Sequence, residues 1–152
     1  MREIRNIDRS VLHYIRTQLV SIWGSHLTVK DGHPNDLENI ELPTVTVNYV
    51  TNARSPREIG TEEGYDSIYW HFMVFARGKG ERDDIGYDVY RLLESGCDVH
   101  DFSSGAIGGR LGKLQFEGIS YKPIFTLGDS VPEGERNRSV VIARAEVSIT
   151  GA

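Results

Sequence analysis

The sequence contains a single cysteine and no long apolar run, and both shortages narrow its possible roles. With one cysteine, Cys97, among 152 residues, neither an intrachain disulfide nor a cysteine metal cluster can form. No apolar stretch approaches the roughly 18 residues of a membrane helix. The N-terminal segment MREIRNIDRS also lacks the apolar core of a signal peptide. We therefore expect no membrane partner, and a protein that is made in the cytoplasm and kept or assembled there.

Positive charge is not in excess either. The chain has 17 Lys and Arg residues against 22 Asp and Glu residues, which gives a formal net charge of −5. A general nucleic-acid binder normally needs a basic face, so this balance argues mildly against that role. Hydrophobic residues at 39% and charged residues at 26% are typical of a globular protein. The length suits one domain, and we expect it to span residues 1–152.

Motifs for phosphate binding or catalysis fail at named positions. The segment GRLGK, from Gly109 to Lys113, would need glycine at position 107 and Ser or Thr at position 114 to be a P-loop, but Ile107 and Leu114 stand there. The GKG turn that ends at Gly80 would need a third glycine at position 83, where Asp83 would repel a pyrophosphate. No Gly-x-Ser-x-Gly elbow is present. We expect no enzymatic activity and no cofactor.

The histidines do not form a metal-binding pattern. None of them has the histidine partner four residues away that a helical zinc site needs; they are His13, His26, His33, His71 and His100. The segment from Cys97 to Asp101 combines a thiol, an imidazole and two carboxylates, which is more typical of a polar loop than of a metal site. We expect no metal. A monomeric binding domain or a small enzyme that uses this loop remains the alternative of a different class.

Apolar periodicity predicts two amphipathic helices. The first has Asp8 as its N-cap, Ile7 and Leu12 as a hydrophobic staple, and Gly24 as its stop. The second covers about residues 82–95 and closes at Gly96. The predicted core stripes are Val11, Ile15, Leu19 and Ile22 in the first helix, and Ile85, Val89 and Leu92 in the second.

Alternation predicts four main strands and, with the helices, the fold class. A strand over 42–50 has Thr44 and Thr46 on its outward face, and a short strand over 27–29 precedes it. Both faces of the segment 67–77 are apolar, so it should be a central, covered strand. A strand over 114–125 contains Gly118 as a bulge, and the last strand covers 140–149 with Val141, Ala143, Ala145, Val147 and Ile149 toward the core. The prediction is an α+β fold, in which two main α-helices pack on a mostly antiparallel β-sheet.

Three long loops are predicted at about residues 51–66, 103–112 and 128–138. The first carries charges of both signs between two strands, although a simple hairpin needs only two to five linking residues. Because long loops are often functional, we assign subunit contacts to them, with ordinary solvated charges as the alternative. The predicted contact residues are Arg54, Arg57, Glu58, Glu62 and Glu63, together with Arg77 and Lys79 near the end of the following strand.

This layout resembles the tail terminator or tail completion (neck) proteins of long-tailed bacteriophages. The resemblance covers roughly residues 8 to 150 and depends on the order and patterning of the elements. It includes an N-terminal helix, a Leu-Pro-x-Val-x-Val strand from Leu42 to Val47 and a charged segment that follows this strand. An aromatic-rich strand ending in Phe75-Ala76-Arg77, a helix from Arg82 to Glu94 and a last strand from Val140 to Ile149 complete it.

The resemblance implies a structural virion protein without a reaction of its own. Such proteins form a homo-oligomeric ring, usually a homohexamer, on the end of the tail tube and join it to the head connector or adaptor proteins. Genome DNA would pass through the channel without specific binding, which the net negative charge suits. The neighbouring alternative is another neck component, such as a head completion or adaptor protein. In either case the expected location is the neck or tail of the virion, after assembly in the host cytoplasm.

Overall fold

The computed structural model describes residues 2–32, 40–56, 64–124 and 137–149. A five-stranded sheet has the order β1-β2-β3-β7-β6, and β4 and β5 form a separate two-stranded sheet. Only β1 and β2 pair in parallel among the described strands. The predicted α+β class is therefore confirmed. The elements are α1 (Arg2–Trp23), β1 (Thr28–Asp31), β2 (Thr44–Pro56), β3 (Gly64–Phe75), α2 (Lys79–Glu94), β4 (Cys97–His100), β5 (Arg110–Leu114), β6 (Glu117–Ile124) and β7 (Arg138–Ile149).

Helix α1 begins earlier than the sequence predicts. It starts at Arg2, so Asp8 lies inside the helix and the predicted N-cap and staple are wrong. The buried stripe reaches back to Ile7, and this packing outweighs the local capping signal at Asp8. Ile22 is 55% exposed and does not belong to the core stripe. The predicted stop at Gly24 is confirmed, since this residue has a φ of 83° and its N–H donates to the carbonyl of Val20.

One face of the five-stranded sheet carries the core. Helix α1 packs toward β1 and β2, whereas α2 packs on β3, β7 and β6. The β4–β5 hairpin lies beside α1, and Phe116, just after it, meets Trp70 of β3 edge-on with ring centroids 5.5 Å apart. The central position of β3 is confirmed, as is the burial of Val141, Ala143 and Ala145. The side chains of Val147 and Ile149 lie outside the described residues.

The opposite face of β2 is less exposed than predicted. Thr44 and Thr46 are fully buried, so the expectation that they face solvent is wrong. Their register partners on β3 are the larger side chains Phe75 and Met73, which stand beside the threonines on the same face. Phe75 is itself fully buried, so this face is covered at Thr44 as well.

Two of the three predicted loops are shorter in the described structure than the sequence suggests. Strand β2 continues to Pro56 and β3 begins at Gly64, so most of the predicted 51–66 loop is a strand ladder, with a register shift between Tyr49 and Thr51. Its charges and turn formers gave a loop signal, but the cross-strand hydrogen bonds outweigh it. The predicted 103–112 loop ends where β5 begins at residue 110. In the predicted 128–138 loop, residues 128–136 lie outside the described part of the chain and β7 begins at residue 138.

The predicted strand over 114–125 is two strands in two sheets. Strand β5 ends at Leu114 and pairs with β4, whereas β6 begins at Glu117 and pairs with β7. The break occurs just before Phe116, whose ring packs on Trp70. The predicted bulge at Gly118 is confirmed, because this residue has a φ of 59° and lies within the register shift between Glu117 and Ser120.

Candidate functional site: assembly surfaces

Strands β2, β3 and β7 extend together beyond the rest of the sheet. Strand β1 pairs only with residues 44–47 of β2, and β6 pairs with β7 only as far as Arg144. The three central strands remain paired past these points, down to the pairs Pro56↔Gly64 and Gly64↔Ile149. We call this extension the arm and define it as residues 51–56, 64–67 and 146–149. At about 3.3 Å per residue, the six residues of β2 in the arm span about 20 Å.

Only one of the five contact residues predicted around the first loop has a described backbone. Arg54 lies on the arm opposite Asp66 of β3. Arg57, Glu58, Glu62 and Glu63 lie outside the described residues. Among the predicted contact residues of the first loop, the described structure therefore places Arg54, and it places it on the arm.

Arg77 and Lys79 lie at the other end of β3, where α2 begins. The Arg77 guanidinium contacts both carboxylate oxygens of Glu81, with Nη2 2.6 Å from Oε2 and Nε 3.3 Å from Oε1. The backbone N–H of Arg77 also donates to Glu81 Oε1 at 3.0 Å. These hydrogen bonds lower the pKa of Glu81, the acidic residue in the first turn of α2. Strand β3 has 12 residues, about 40 Å of chain, so Arg54 on the arm does not share a patch with Arg77 and Lys79.

A groove rich in tyrosine lies along the β6 edge of the sheet. Tyr87 and Tyr90 of α2 and Tyr121 of β6 line it together with Asp83 and Asp84, and its volume is about 470 Å³. We call it the tyrosine groove. Tyr87 is 57% exposed. Large aromatic side chains such as tyrosine are usually mostly buried in a protein or are found at interfaces.

Hydrogen bonds fix the floor of the tyrosine groove. The Tyr121 hydroxyl donates to the carboxylate of Asp83, which also accepts from Arg82 Nε at 2.9 Å. The bonds from Arg82 and then Tyr121 lower the pKa of Asp83, while burial and then the bond to Asp83 raise the pKa of Tyr121. The i,i+3 spacing of Tyr87 and Tyr90 was a signal in the sequence, but only the fold brings Tyr121 to them.

A second surface lies along the N-terminal half of α1, near the β1 edge. Arg5, Arg9, His13 and Arg16 follow the spacing 4, 4 and 3, which places them on one helix face. All four are exposed and line a cleft of about 550 Å³ whose other wall includes Phe102. We call these four residues the arginine stripe. The spacing is visible in the sequence, but the position of the stripe beside β1 depends on the fold.

Two members of the arginine stripe contact β1. Arg9 Nη1 lies 3.3 Å from Asp31 Oδ2, and both side chains are about half exposed. Arg16 Nη2 donates to the carbonyl of Val29 at 3.2 Å. These contacts hold the stripe beside the edge strand, while the exposed Arg9–Asp31 pair contributes little to stability.

The Cys97–Asp101 segment has little of the geometry that a nucleophile needs. Cys97 and His100 belong to strand β4 and not to a loop, which corrects that prediction. Cys97 is buried, and burial followed by the charge of Asp98 raises its pKa to about 12, so the unreactive thiol form dominates at neutral pH. His100 Nδ1 lies 3.3 Å from the carbonyl oxygen of Gly108. Within the described ranges, no three His, Cys, Asp or Glu side chains are grouped closely enough to hold a metal ion.

In the described part of the chain, no helix has both the length and the apolar character that crossing a bilayer requires.

Comparison with known proteins identifies the fold but no family. No protein-family model matches the sequence, and no curated protein does so either. The fold is similar to that of a chain in the solved structure titled "Virion of native gene transfer agent (GTA) particle". The two superpose with a TM-score of 0.51 and 14% sequence identity, over 93% of this chain and 94% of that chain.

Proposed function

We propose that this chain is a structural virion protein and, within the virion, a tail terminator or tail completion subunit that forms a ring. The observation that carries the proposal is the fold similarity to a chain of the gene transfer agent virion. That similarity extends over nearly the whole of both chains, so it includes the arrangement of helices and sheet and not only a common motif. The element order that resembles tail terminators points to the same kind of particle.

The described surfaces support a role in assembly. The arm, the tyrosine groove and the arginine stripe are three different surfaces on one small chain. Tyr and Arg are enriched in protein interfaces, because they combine large contact area with directional polar groups. The Cys97 thiol, by contrast, is buried and its pKa is raised to about 12, which disfavours covalent catalysis by this residue.

The proposed mechanism is geometric and involves no reaction. Subunits associate side by side into a closed ring, which we expect to contain six copies. One face of the ring copies the interface between tail-tube layers, and the other face does not continue it, so growth of the tube stops. That second face joins the head connector or adaptor proteins. The net charge of −5 limits adhesion of DNA as it passes through the channel.

Electron microscopy of particles blocked before head–tail joining tests this role. The particles are labelled with a gold-conjugated antibody against this chain. We expect label at one end of free tails and none on free heads, and deletion of the gene should yield tails of irregular length. Label confined to the head vertex would instead identify the chain as a head completion or adaptor protein. Absence of the chain from both structures contradicts the virion role.

A parallel experiment tests the alternative of a small enzyme or binding domain. The variants Cys97→Ala and His100→Ala change the two groups of β4 that such a site would use. We expect both variants to assemble as the unchanged chain does. Loss of a ligand-binding or catalytic activity in these variants, with assembly intact, would favour the alternative.

A further inference from the structure

The tyrosine groove and the arginine stripe lie at opposite edges of the five-stranded sheet. Tyr121 of the groove belongs to the edge strand β6. Arg9 and Arg16 of the stripe contact Asp31 and Val29 of the other edge strand, β1. Four strand spacings of about 4.8 Å separate these edges by about 19 Å. A surface on each of two opposite edges is the arrangement that a chain needs in order to contact one neighbour on each side.

We propose that the arginine stripe of one copy docks into the tyrosine groove of the next copy. This inference rests on the proposed ring function and specifies which two surfaces form the ring contact.

The tyrosine groove offers the chemistry that binds guanidinium groups. The face of a tyrosine ring carries partial negative charge and attracts a cation. Tyr87 already shows this within the chain, since the guanidinium carbon of Arg91 lies 5.0 Å from the centre of its ring. One oxygen of the Asp83 carboxylate, Oδ1, already accepts from both Arg82 and Tyr121. The exposed side chain of Asp84 is thus the groove carboxylate that we assign to an incoming arginine.

The arginine stripe offers the complementary groups. Arg5, Arg9 and Arg16 place three positive charges on one exposed helix face of a chain whose net charge is −5. Of the nearby acidic groups, Asp31 pairs with Arg9 at 3.3 Å. Because both partners are about half exposed, this pair can exchange for a contact between copies at small cost.

Charge also favours a head-to-tail contact over a twofold one. In a twofold dimer the same patch meets itself, so stripe against stripe would place arginines opposite arginines. A contact between the stripe and the groove instead places arginines against Asp84 and the tyrosine rings. It also leaves one free stripe and one free groove at the two ends of every open oligomer. If the rotation from one subunit to the next is suitable, the oligomer closes into a ring.

Charge-reversal variants and their mixture test the proposal. The stripe variant combines Arg5→Glu with Arg9→Glu, and the groove variant combines Asp84→Arg with Tyr87→Ala. We expect each alone to raise the Kd of subunit association by about tenfold or more. Each variant keeps one intact surface, and the two reversed surfaces are again opposite in charge, so an equimolar mixture should recover association, beginning with 1:1 heterodimers. Native mass spectrometry measures these species directly.

The controls separate failure of this inference from failure of the proposed function. Reversal of two exposed cations on β5, Arg110→Glu with Lys113→Glu, changes the net charge as the stripe variant does and should leave assembly unchanged. Circular dichroism verifies folding, and the milder variants Arg5→Ala and Asp84→Asn replace any that misfold. If the unchanged chain forms rings and both reversal variants do so equally well, the docking proposal is overturned while the ring function stands. If the unchanged chain forms no rings alone or on tail tubes, the ring function itself fails.

Discussion

The ring of Tyr121 lies directly against Gly86 of α2. A Cβ atom at position 86 would stand 2.3 Å from Tyr121 Cε2 and 2.9 Å from Cδ2, closer than carbon atoms approach in proteins. The missing side chain therefore sets how closely strand β6 approaches α2. It also sets the floor of the tyrosine groove, because Tyr121 forms that floor.

Gly86→Ala should destabilise the protein even though alanine favours helices. The helical preference contributes about 1 kcal/mol in favour of alanine. Displacement of the Tyr121 ring costs more, and we expect a net loss of about 1–3 kcal/mol in the free energy of unfolding. Urea unfolding at 25 °C measures this loss. The control is Gly80→Ala in the same helix, where an added Cβ meets nothing within 4 Å and stability should be unchanged or slightly higher. Equal stability of the two variants would contradict the packing argument.

Two leucines of β5 should respond differently to the same substitution. Leu114 is 4% exposed and belongs to the core cluster, whereas Leu111 is 62% exposed. We expect Leu114→Ala to lower the free energy of unfolding by about 2–5 kcal/mol through lost burial and a cavity. Leu111→Ala should change it by no more than about 0.5 kcal/mol. Comparable losses in thermal or urea unfolding would show that the β4–β5 hairpin does not pack on the core.

Asp8 should make stability depend on pH in a defined direction. Burial, and next the negative charge of Asp31, raise the pKa of Asp8 above its ordinary value of 3.8. The folded chain thus binds the proton of the Asp8 carboxyl group more tightly than the unfolded chain does. The resulting contribution of Asp8 to stability is fully present below about pH 3.8 and is lost as pH rises through the folded pKa. Because asparagine does not titrate, the variant Asp8→Asn does not lose stability at this position as the pH rises.

We therefore expect the Tm of Asp8→Asn to fall less than that of the unchanged chain between pH 4 and pH 7. The side-chain atom Oδ1 of Asp8 is buried, and an uncharged amide tolerates that position better than a carboxylate. The exposed Glu94→Gln serves as the comparison. Calorimetry over this pH range measures both, and an Asp8→Asn profile parallel to that of the unchanged chain would refute the assignment.

Cys97 should be nearly inert in the folded protein. Burial and then the charge of Asp98 raise its pKa from 9.0 to about 12, so thiolate, the reactive form, is rare at pH 8. We expect iodoacetamide to label native Cys97 at least about a hundredfold more slowly than the urea-unfolded chain. Mass spectrometry of timed samples gives both rates. Rapid, complete labelling of the native protein would show an accessible thiol and revive the β4 segment as a candidate reactive site.

The sequence predicted features whose causes are local or repeated along the chain. The two apolar faces of β3 indicated its central position, and Gly24 and Gly118 marked a helix end and a bulge through conformations with positive φ. Signals that compete with packing were misleading. Asp8 looked like an N-cap, yet burial of Ile7 extends α1 past it.

The candidate surfaces were harder to predict, because they depend on contacts between distant segments. Nothing in the segment 114–125 indicated that Phe116 would turn toward Trp70 and divide it between two sheets. That division carries Tyr121 to the edge of the large sheet, where it meets α2 residues some 35 positions earlier in the chain. The arginine stripe was visible as a spacing, but its place beside β1 depends on the contacts of Arg9 and Arg16.

The central claim is that copies of this chain close into a ring, and the mass of the purified protein across a dilution series tests it most directly. Native mass spectrometry, with negative-stain images of the same samples and of tail tubes mixed with the protein, gives the number of copies and the shape. The account predicts one closed species, expected to contain six copies, in solution or at the end of the tube. A monomer at every concentration, with no binding to tube ends, would contradict it.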